Sequence, residues 1–575
     1  MSSTHQGNPC RRKPAIAAGL FAIVMSAGCG AYNDVLTEPA PTARYREVTA
    51  ALRVEEPLQE IRPEATRTMP RMTIATLLVP KGTPTPDKPK SDTDRAMSQL
   101  REKEYDQALD AATKLIQKDP TDPAGYNLQG AAYIGKKDLS KARKSFQKAL
   151  SVRPDDVPSL MNLAQLDVQE RDTTSARKRY QAVLAKDPRY VPALIGMANV
   201  ELVSGNDKES LTWLEKAKAA NPEALAPRLA LATLYLRSKK SNSAVAELTE
   251  AQRFHPDNVE LLYLLGRAQT ADRHVADAIA TYKKLVSMSP ASPTAYYGLA
   301  IAQVTNQNFS EAAESLRKAV KLKPDYVDAV DALAGLEVRA GQPDEALKLA
   351  RDLQRATPTS PAGLALEGDL LMTQKRDAEA AKAYQAAFTL QQTGLLAVKL
   401  HAAQTRAGNA KDADAKLQQW LTDHPDDIDA WQYSAGVNLQ AGNNKSAVDQ
   451  YQRVLQKRPN NLAVLNNLAI LYQRENDPRA LTAAEQAFAL MPDSSTVADT
   501  LGWILIEQGK IERGLALVKK AAARSPANTE IRYHLAVGLA KSGDKVKARK
   551  ELESLLAGGQ TFPQREAAQA LLRQL

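Results

Sequence analysis

From about residue 89 to the C-terminus, apolar and small residues recur in short helical blocks. In the unit that ends at Pro154, Tyr126, Gly130 and Tyr133 stand four and three residues apart, and so do Ala142, Phe146 and Ala149. Each triplet lies along one face of a helix, so the unit predicts two helices packed through those faces. Prolines punctuate the pattern: Pro120, Pro154, Pro188, Pro222, Pro256, Pro290, Pro324 and Pro358 are each 34 residues apart. The series passes through Gln392, where proline is replaced, and resumes at Pro425, Pro459, Pro492 and Pro526, with single-residue contractions before Pro425 and Pro492. Proline lacks the amide donor and biases the preceding residue away from helical angles, so each of these positions marks a helix stop. An Asp or Asn often follows, as Asp155, Asp156, Asp257, Asn258, Asp325, Asp426 and Asn460 do, ready to cap the next helix. Thirteen units end at these positions and one more follows Pro526, which predicts about fourteen antiparallel helix pairs.

Gly130 and Ala142 fall where the two helices of a pair cross closely and a larger side chain would separate them. The Ala142 position is small in all fourteen units, from Ala108 to Ala548, with Ser210 and Gly514 the only residues there that are not alanine. No single pair can bury its apolar face alone, so stability has to come from stacked neighbours and from a cap on the last face. Gln564 to Leu575, behind Pro563, has the spacing of that cap, with Ala567, Ala570, Leu571 and Leu575 on one stripe. The loss of the stop at Gln392 and of one residue in the next unit predicts a weakened interface. The array is therefore expected as a block over 89–392 and a block over 393–561, hinged near 390–410, with the capping helix over 562–575.

The first ninety residues read differently. Arg11, Arg12 and Lys13 precede an apolar run from Ala15 to Met25, then Ser26, Ala27 and Gly28 stand directly before Cys29. That order predicts a secretory signal over 1–28, whose apolar run of about eleven residues is shorter than the roughly 20 needed to span a bilayer. Residues 29–88 carry Pro39, Pro41, Pro57, Pro63, Pro70, Pro80, Pro84 and Pro86, which no long helix tolerates, so this stretch reads as a tether. Cys10 and Cys29 are the only cysteines, both ahead of the repeats, so no structural disulfide and no cysteine zinc site belongs to the array.

The residues Tyr126, Gly130, Tyr133, Ala142, Phe146 and Ala149 occupy the positions at which the tetratricopeptide-repeat pattern expects aromatic, Gly, Tyr, Ala, aromatic and Ala. The chain resembles that family, and the resemblance implies an all-α fold, a right-handed superhelical solenoid of about fourteen pairs. Ser26-Ala27-Gly28-Cys29 resembles a bacterial lipobox, which implies acylation of Cys29. By the same resemblance, Gly30 in place of Asp favours the periplasmic face of a Gram-negative outer membrane. From Asn466 onward, NNLAILY, DPRAL, DTLGWIL, EIRYHLA, KARKELESLL and FPQREAAQALL occur in this order. That series is similar to the C-terminal region of repeat lipoproteins of exosortase (PEP-CTERM) and exopolysaccharide systems. It implies a lipid-anchored periplasmic scaffold for polysaccharide assembly or export. An assembly lipoprotein for pili or outer-membrane proteins, and a glycan-binding accessory subunit, are the alternative readings.

Composition narrows the chemistry. The net charge of +10 comes from 76 basic and 66 acidic side chains interspersed along the chain, the pattern of solvated helix faces, and aromatics are only 5%. No basic run sits among stacking aromatics, which argues against nucleic acid as a partner. The six histidines have no metal-ligand spacing, no glycine-rich phosphate loop occurs, and Gly135-Lys136 reads as an inter-helix turn. Neither a metal, nor a cofactor, nor an enzyme is expected. By the family resemblance, the fifth and ninth positions of each unit point into a concave groove where proteins dock. Here they include Asn127, Asn199, Tyr263, Arg267, Tyr297, Asp331, Asp369 and Asn466. No unit pairs Lys at the fifth with Asn at the ninth, so the carboxylate clamp of chaperone-binding relatives is absent.

Overall fold

The computed structural model describes residues 91–557 and 562–575; the expected signal over 1–28, acylated Cys29 and tether over 29–88 lie outside the described residues. The described residues form 29 helices, with no strand among them. They fall into two compact units, 91–342 and 343–575.

The first unit contains α1 (Asp92–Arg101), α2 (Tyr105–Lys118), α3 (Pro123–Gly135), α4 (Leu139–Val152), α5 (Val157–Gln169), α6 (Thr173–Lys186), α7 (Val191–Val203), α8 (Asp207–Ala220), α9 (Leu225–Arg237), α10 (Ser241–Phe254), α11 (Val259–Ala271), α12 (Val275–Met288), α13 (Pro293–Thr305), α14 (Phe309–Leu322) and α15 (Val327–Arg339). The second contains α16 (Pro343–Ala356), α17 (Ala362–Thr373), α18 (Asp377–Leu390), α19 (Gly394–Arg406), α20 (Ala410–Asp423), α21 (Ile428–Gln440), α22 (Asn444–Lys457), α23 (Leu462–Arg474), α24 (Arg479–Leu490), α25 (Ser495–Glu507), α26 (Ile511–Arg524), α27 (Thr529–Lys541), α28 (Lys545–Ala557) and α29 (Arg565–Gln574).

Each punctuating proline lies in the turn before an odd-numbered helix, and where a side chain caps that helix it is the second residue after the proline. Asp122, Asp156, Asn258, Ser292, Asp427, Asn461, Ser494 and Asn528 all accept amide hydrogen bonds from the first turn. Of the seven caps expected from sequence, Asp156 and Asn258 therefore hold. Asp426 and Asn460 yield to their successors, because the proline turn takes one more residue before the helix starts. Asp155 and Asp257 instead form ion pairs with Lys186 and Lys284, and Asp325 does not cap either, because Tyr326 takes the cap position of α15 and makes no side-chain cap bond.

Every turn from an odd helix to the next even one contains a single residue with positive φ. It is glycine in six repeats, such as Gly205 at 84° and Gly442 at 76°, and a tolerated Lys, Arg, Gln or Asn in the others, such as Lys137 at 61°. The amide of the residue after it bonds back into the helix, as Asp138 does to the Tyr133 carbonyl at 2.9 Å, which satisfies an otherwise orphan acceptor. Gly135 is thus not the turn residue. It ends α3 helically, and a Cβ there would strike the ring of Tyr105.

The small position is fully buried throughout: Ala108, Ala142, Ala244, Ala278, Ala380, Ala447 and Ala548 are all at 0% exposure, as is Ser210. At the crossing partner, a Cβ built on Gly266 would lie 2.7 Å from the Tyr282 ring. The capping helix α29 packs Ala568, Leu571, Leu572 and Leu575 beside Phe562, Leu552 and Leu555. Its buried alanine is Ala568, while Ala567 is exposed, so the stripe is rotated by one residue from the sequence expectation. The expected boundary at 392/393 lies inside the second unit, where α18 and α19 pack directly on each other.

Candidate functional site on the odd-numbered helices

Within each unit the odd helices pack against their even neighbours, and several also touch the odd helix of the next repeat. In the first unit α5 meets α7, α9 meets α11 and α11 meets α13; in the second α19 meets α21 and α25 meets α27. No two even helices approach comparably among the described residues. A stack whose one layer is more closely spaced bends toward that layer, so within each unit the odd helices line the inside of the bend.

Among the expected inward residues, the structure gathers Tyr263, Arg267, Tyr297 and Asp331 around one aromatic surface on α11, α13 and α15. Tyr263 packs edge-on against Tyr282 of α12, with ring centroids 6.2 Å apart, and the Arg267 guanidinium lies 6.0 Å from the Tyr263 ring. Tyr297 meets Tyr326, the residue before α15, at 5.2 Å. Burial, and then the carboxylate of Asp328, hold the Tyr297 phenol far above its ordinary range, so it remains a neutral donor; Asp331 acts on it in the same direction. Burial does the same to Tyr282 and Tyr326. Sequence register found Tyr263 and Tyr297 but missed Tyr282 and Tyr326, which come from an even helix and a loop. Beside Tyr263 a cavity of about 590 Å³ opens between the start of α11 and the start of α13.

The other expected residues have different fates. Asn127 is buried and already engaged: it donates to Asp156 at 2.8 Å and accepts from Ser159 at 2.9 Å, joining α3 to α5. Asp369 is 3% exposed and Lys399, one repeat later, is 1% exposed. The Lys399 ammonium bonds both Asp369 oxygens at 2.6 and 2.7 Å, and the Tyr384 hydroxyl donates to Asp369 at 2.6 Å. Both residues are consumed in packing between repeats and are closed to a partner. Asn199 is half-buried and Asn466 buried, and each keeps a side-chain oxygen without a hydrogen-bond partner.

A second aromatic group lies in the C-terminal unit, on α25 and α27. Trp503 stacks on His534 at 4.2 Å, and His534 Nδ1 lies 2.8 Å from Asp499. Burial alone would lower the His534 pKa, but the Asp499 carboxylate, with smaller help from Glu530 and Glu507, raises it. Among the described residues no group of three or more His, Cys, Asp or Glu could hold a metal, and no helix is long and apolar enough to cross a membrane.

Helix pairs, the small crossing positions and an odd-helix inner face define a repeat scaffold, and the comparisons agree. Two family models, both described as tetratricopeptide repeat, match the chain. One matches residues 93–157, 229–293, 271–327, 297–361, 332–392 and 403–461, and covers half of the chain by itself; the other matches 167–226 and 505–575. The chain belongs to the tetratricopeptide-repeat family, whose members generally bind partner proteins and act as scaffolds. Among solved structures it is similar to yeast Tom70, at 16% identity and a TM-score of 0.40, over 74% of this chain and 96% of that one. A tetratricopeptide repeat protein from Parabacteroides merdae matches at 17% identity and a TM-score of 0.35, over 43% of this chain and 98% of its own. YrrB, described as a repeat protein with an unusual peptide-binding site, matches at 23% identity and 0.28, over 33% and 98%.

Proposed function

We propose that this chain is a lipid-anchored periplasmic scaffold that holds protein partners during exopolysaccharide assembly or export and performs no chemical step itself. The observation that carries the binding reading is the surface of α11, α13 and α15, where Tyr263 and Tyr297 combine ring area with polar tips beside Arg267. Such amphipathic rings contribute large contact area at low entropy cost, which suits a docking surface. The anchoring and pathway rest on the sequence: the basic, apolar and small-residue order ending at Cys29, and the C-terminal series from Asn466 onward.

The test is Arg267→Glu combined with Asp331→Arg. Helical content, read by circular dichroism, should be retained, because both side chains are only half-buried and lie outside the hydrophobic core. Partner capture and polysaccharide export should fall. Purified protein that turned over a glycan or peptide would contradict the reading. So would a strain lacking the chain that kept normal exopolysaccharide while losing pili or barrel proteins.

A further inference from the structure

Resting on the groove reading above, we infer that the face of α11 binds a short extended partner segment carrying a basic side chain and, three residues away, a carboxylate. Glu260, Tyr263 and Arg267 stand at i, i+3 and i+7 of one helix, and therefore on one stripe. Neither Glu260 nor Arg267 forms an ion pair among the described residues, whereas the neighbouring Asp257 is already neutralised by Lys284 at 2.9 Å. The stripe thus presents one unmatched anion and one unmatched cation, with an aromatic ring between them.

Their spacing sets the ligand. Seven helical residues rise about 10 Å. An extended chain covers that distance in three residues at roughly 3.3 Å each. The anionic end has room for a long side chain, because the 590 Å³ cavity is lined by Val259, Glu260, Tyr263, Leu285, Ser292 and Thr294. The exposed Val259 can take the aliphatic stem of a lysine while Glu260 meets its ammonium. At the other end Arg267 offers a planar fork to a carboxylate, and Tyr263 supports the intervening residues.

The test uses the full chain and two synthetic fluorescein-labelled peptides with blocked ends. Ala-Lys-Pro-Leu-Asp-Ala has the inferred spacing, and Ala-Lys-Asp-Pro-Leu-Ala has the same composition with the charges adjacent. The first should bind about tenfold more tightly or better, the range a charge-assisted contact supports. Glu260→Lys and Arg267→Glu should each weaken it by about the same factor. The two together should restore it, because the segment can then lie in the opposite direction. Equal binding of the two peptides, single variants that leave binding intact, or a double variant no better than the singles would overturn the inference. The parent reading is separable: a photo-crosslinker at Tyr297 that still captures a partner in cells when Glu260→Lys is present would sink this inference and leave the scaffold standing.

Discussion

Asp369→Asn should open the array locally around α17 and α19. The substitution keeps shape and an acceptor for the Tyr384 hydroxyl but removes the charge that Lys399 contacts at 2.6 and 2.7 Å. Lys399 is 1% exposed, so its ammonium cannot turn to water without unpacking the helix. Breaking a buried pair from one side costs about 3–5 kcal/mol, since the remaining charge is left uncompensated. Lys399→Met should cost about as much by stranding the carboxylate. Asp369→Asn with Lys399→Met removes both charges and should be far milder than the sum of the two, because directly contacting groups are not additive. A single unfolding curve suits this poorly, as repeat arrays need not unfold in one step. Amide hydrogen exchange read by mass spectrometry over α17 to α19 resolves the local opening. Each single variant should exchange faster there by about two to four orders of magnitude, and the double variant by much less. Single variants that leave exchange within about tenfold of wild type, or a double variant as damaged as the sum, would refute the reasoning. The same data bear on the junction at Gln392, which this pair straddles. The hinge expected near 390–410 requires low wild-type protection there, whereas a pair that ties α17 to α19 requires protection equal to that of the flanking helices.

His534 should make the C-terminal unit lose stability as pH rises. Its folded pKa is raised above the ordinary 6.5, so its contribution is complete below about that value and is lost as pH climbs through the higher folded pKa. Exchange protection of α25 and α27 should therefore decline from pH 6 toward 9, and His534→Gln should flatten the trend; a flat wild-type profile would count against the ion pair. Ala278→Leu should destabilise its repeat by roughly 1–3 kcal/mol through overpacking a fully buried crossing point, read as faster amide exchange over α11 and α12, and unchanged exchange there would contradict it. Cys29→Ser should abolish incorporation of radiolabelled palmitate, and equal labelling of mutant and wild type would remove the lipid anchor from the account.

What the sequence disclosed was whatever each repeat enforces on itself. Proline stops, the small crossing residue at Ala142 and its counterparts, and the pair count are local steric demands, so they reappear every 34 residues and are legible without coordinates. The side-chain caps were legible in kind but not in register, since the proline turn fixes the cap as Asp427 and Asn461. Inward positions were legible only as places on the odd-numbered helices. Whether a neighbour had already claimed them was not, because Asn127 meets Asp156 and Asp369 meets Lys399 only once successive repeats are stacked. A usable signal existed in the second case: an acid and a base 30 residues apart on consecutive odd helices. Tyr282 and Tyr326 escaped because each reaches the Tyr263 and Tyr297 surface from outside the odd-helix register.

The central claim is that partners dock on the inner face of α11 and α13. Placing a photo-reactive phenylalanine analogue at Tyr263, at Tyr297 and at the exposed Lys283 of the even helix α12, then irradiating living cells, measures it directly. Discrete covalent adducts at the first two positions, lost when Arg267→Glu and Asp331→Arg are added and absent at Lys283, are predicted. Adducts confined to Lys283, or none at Tyr263 and Tyr297 while the chain remains folded, would contradict the claim.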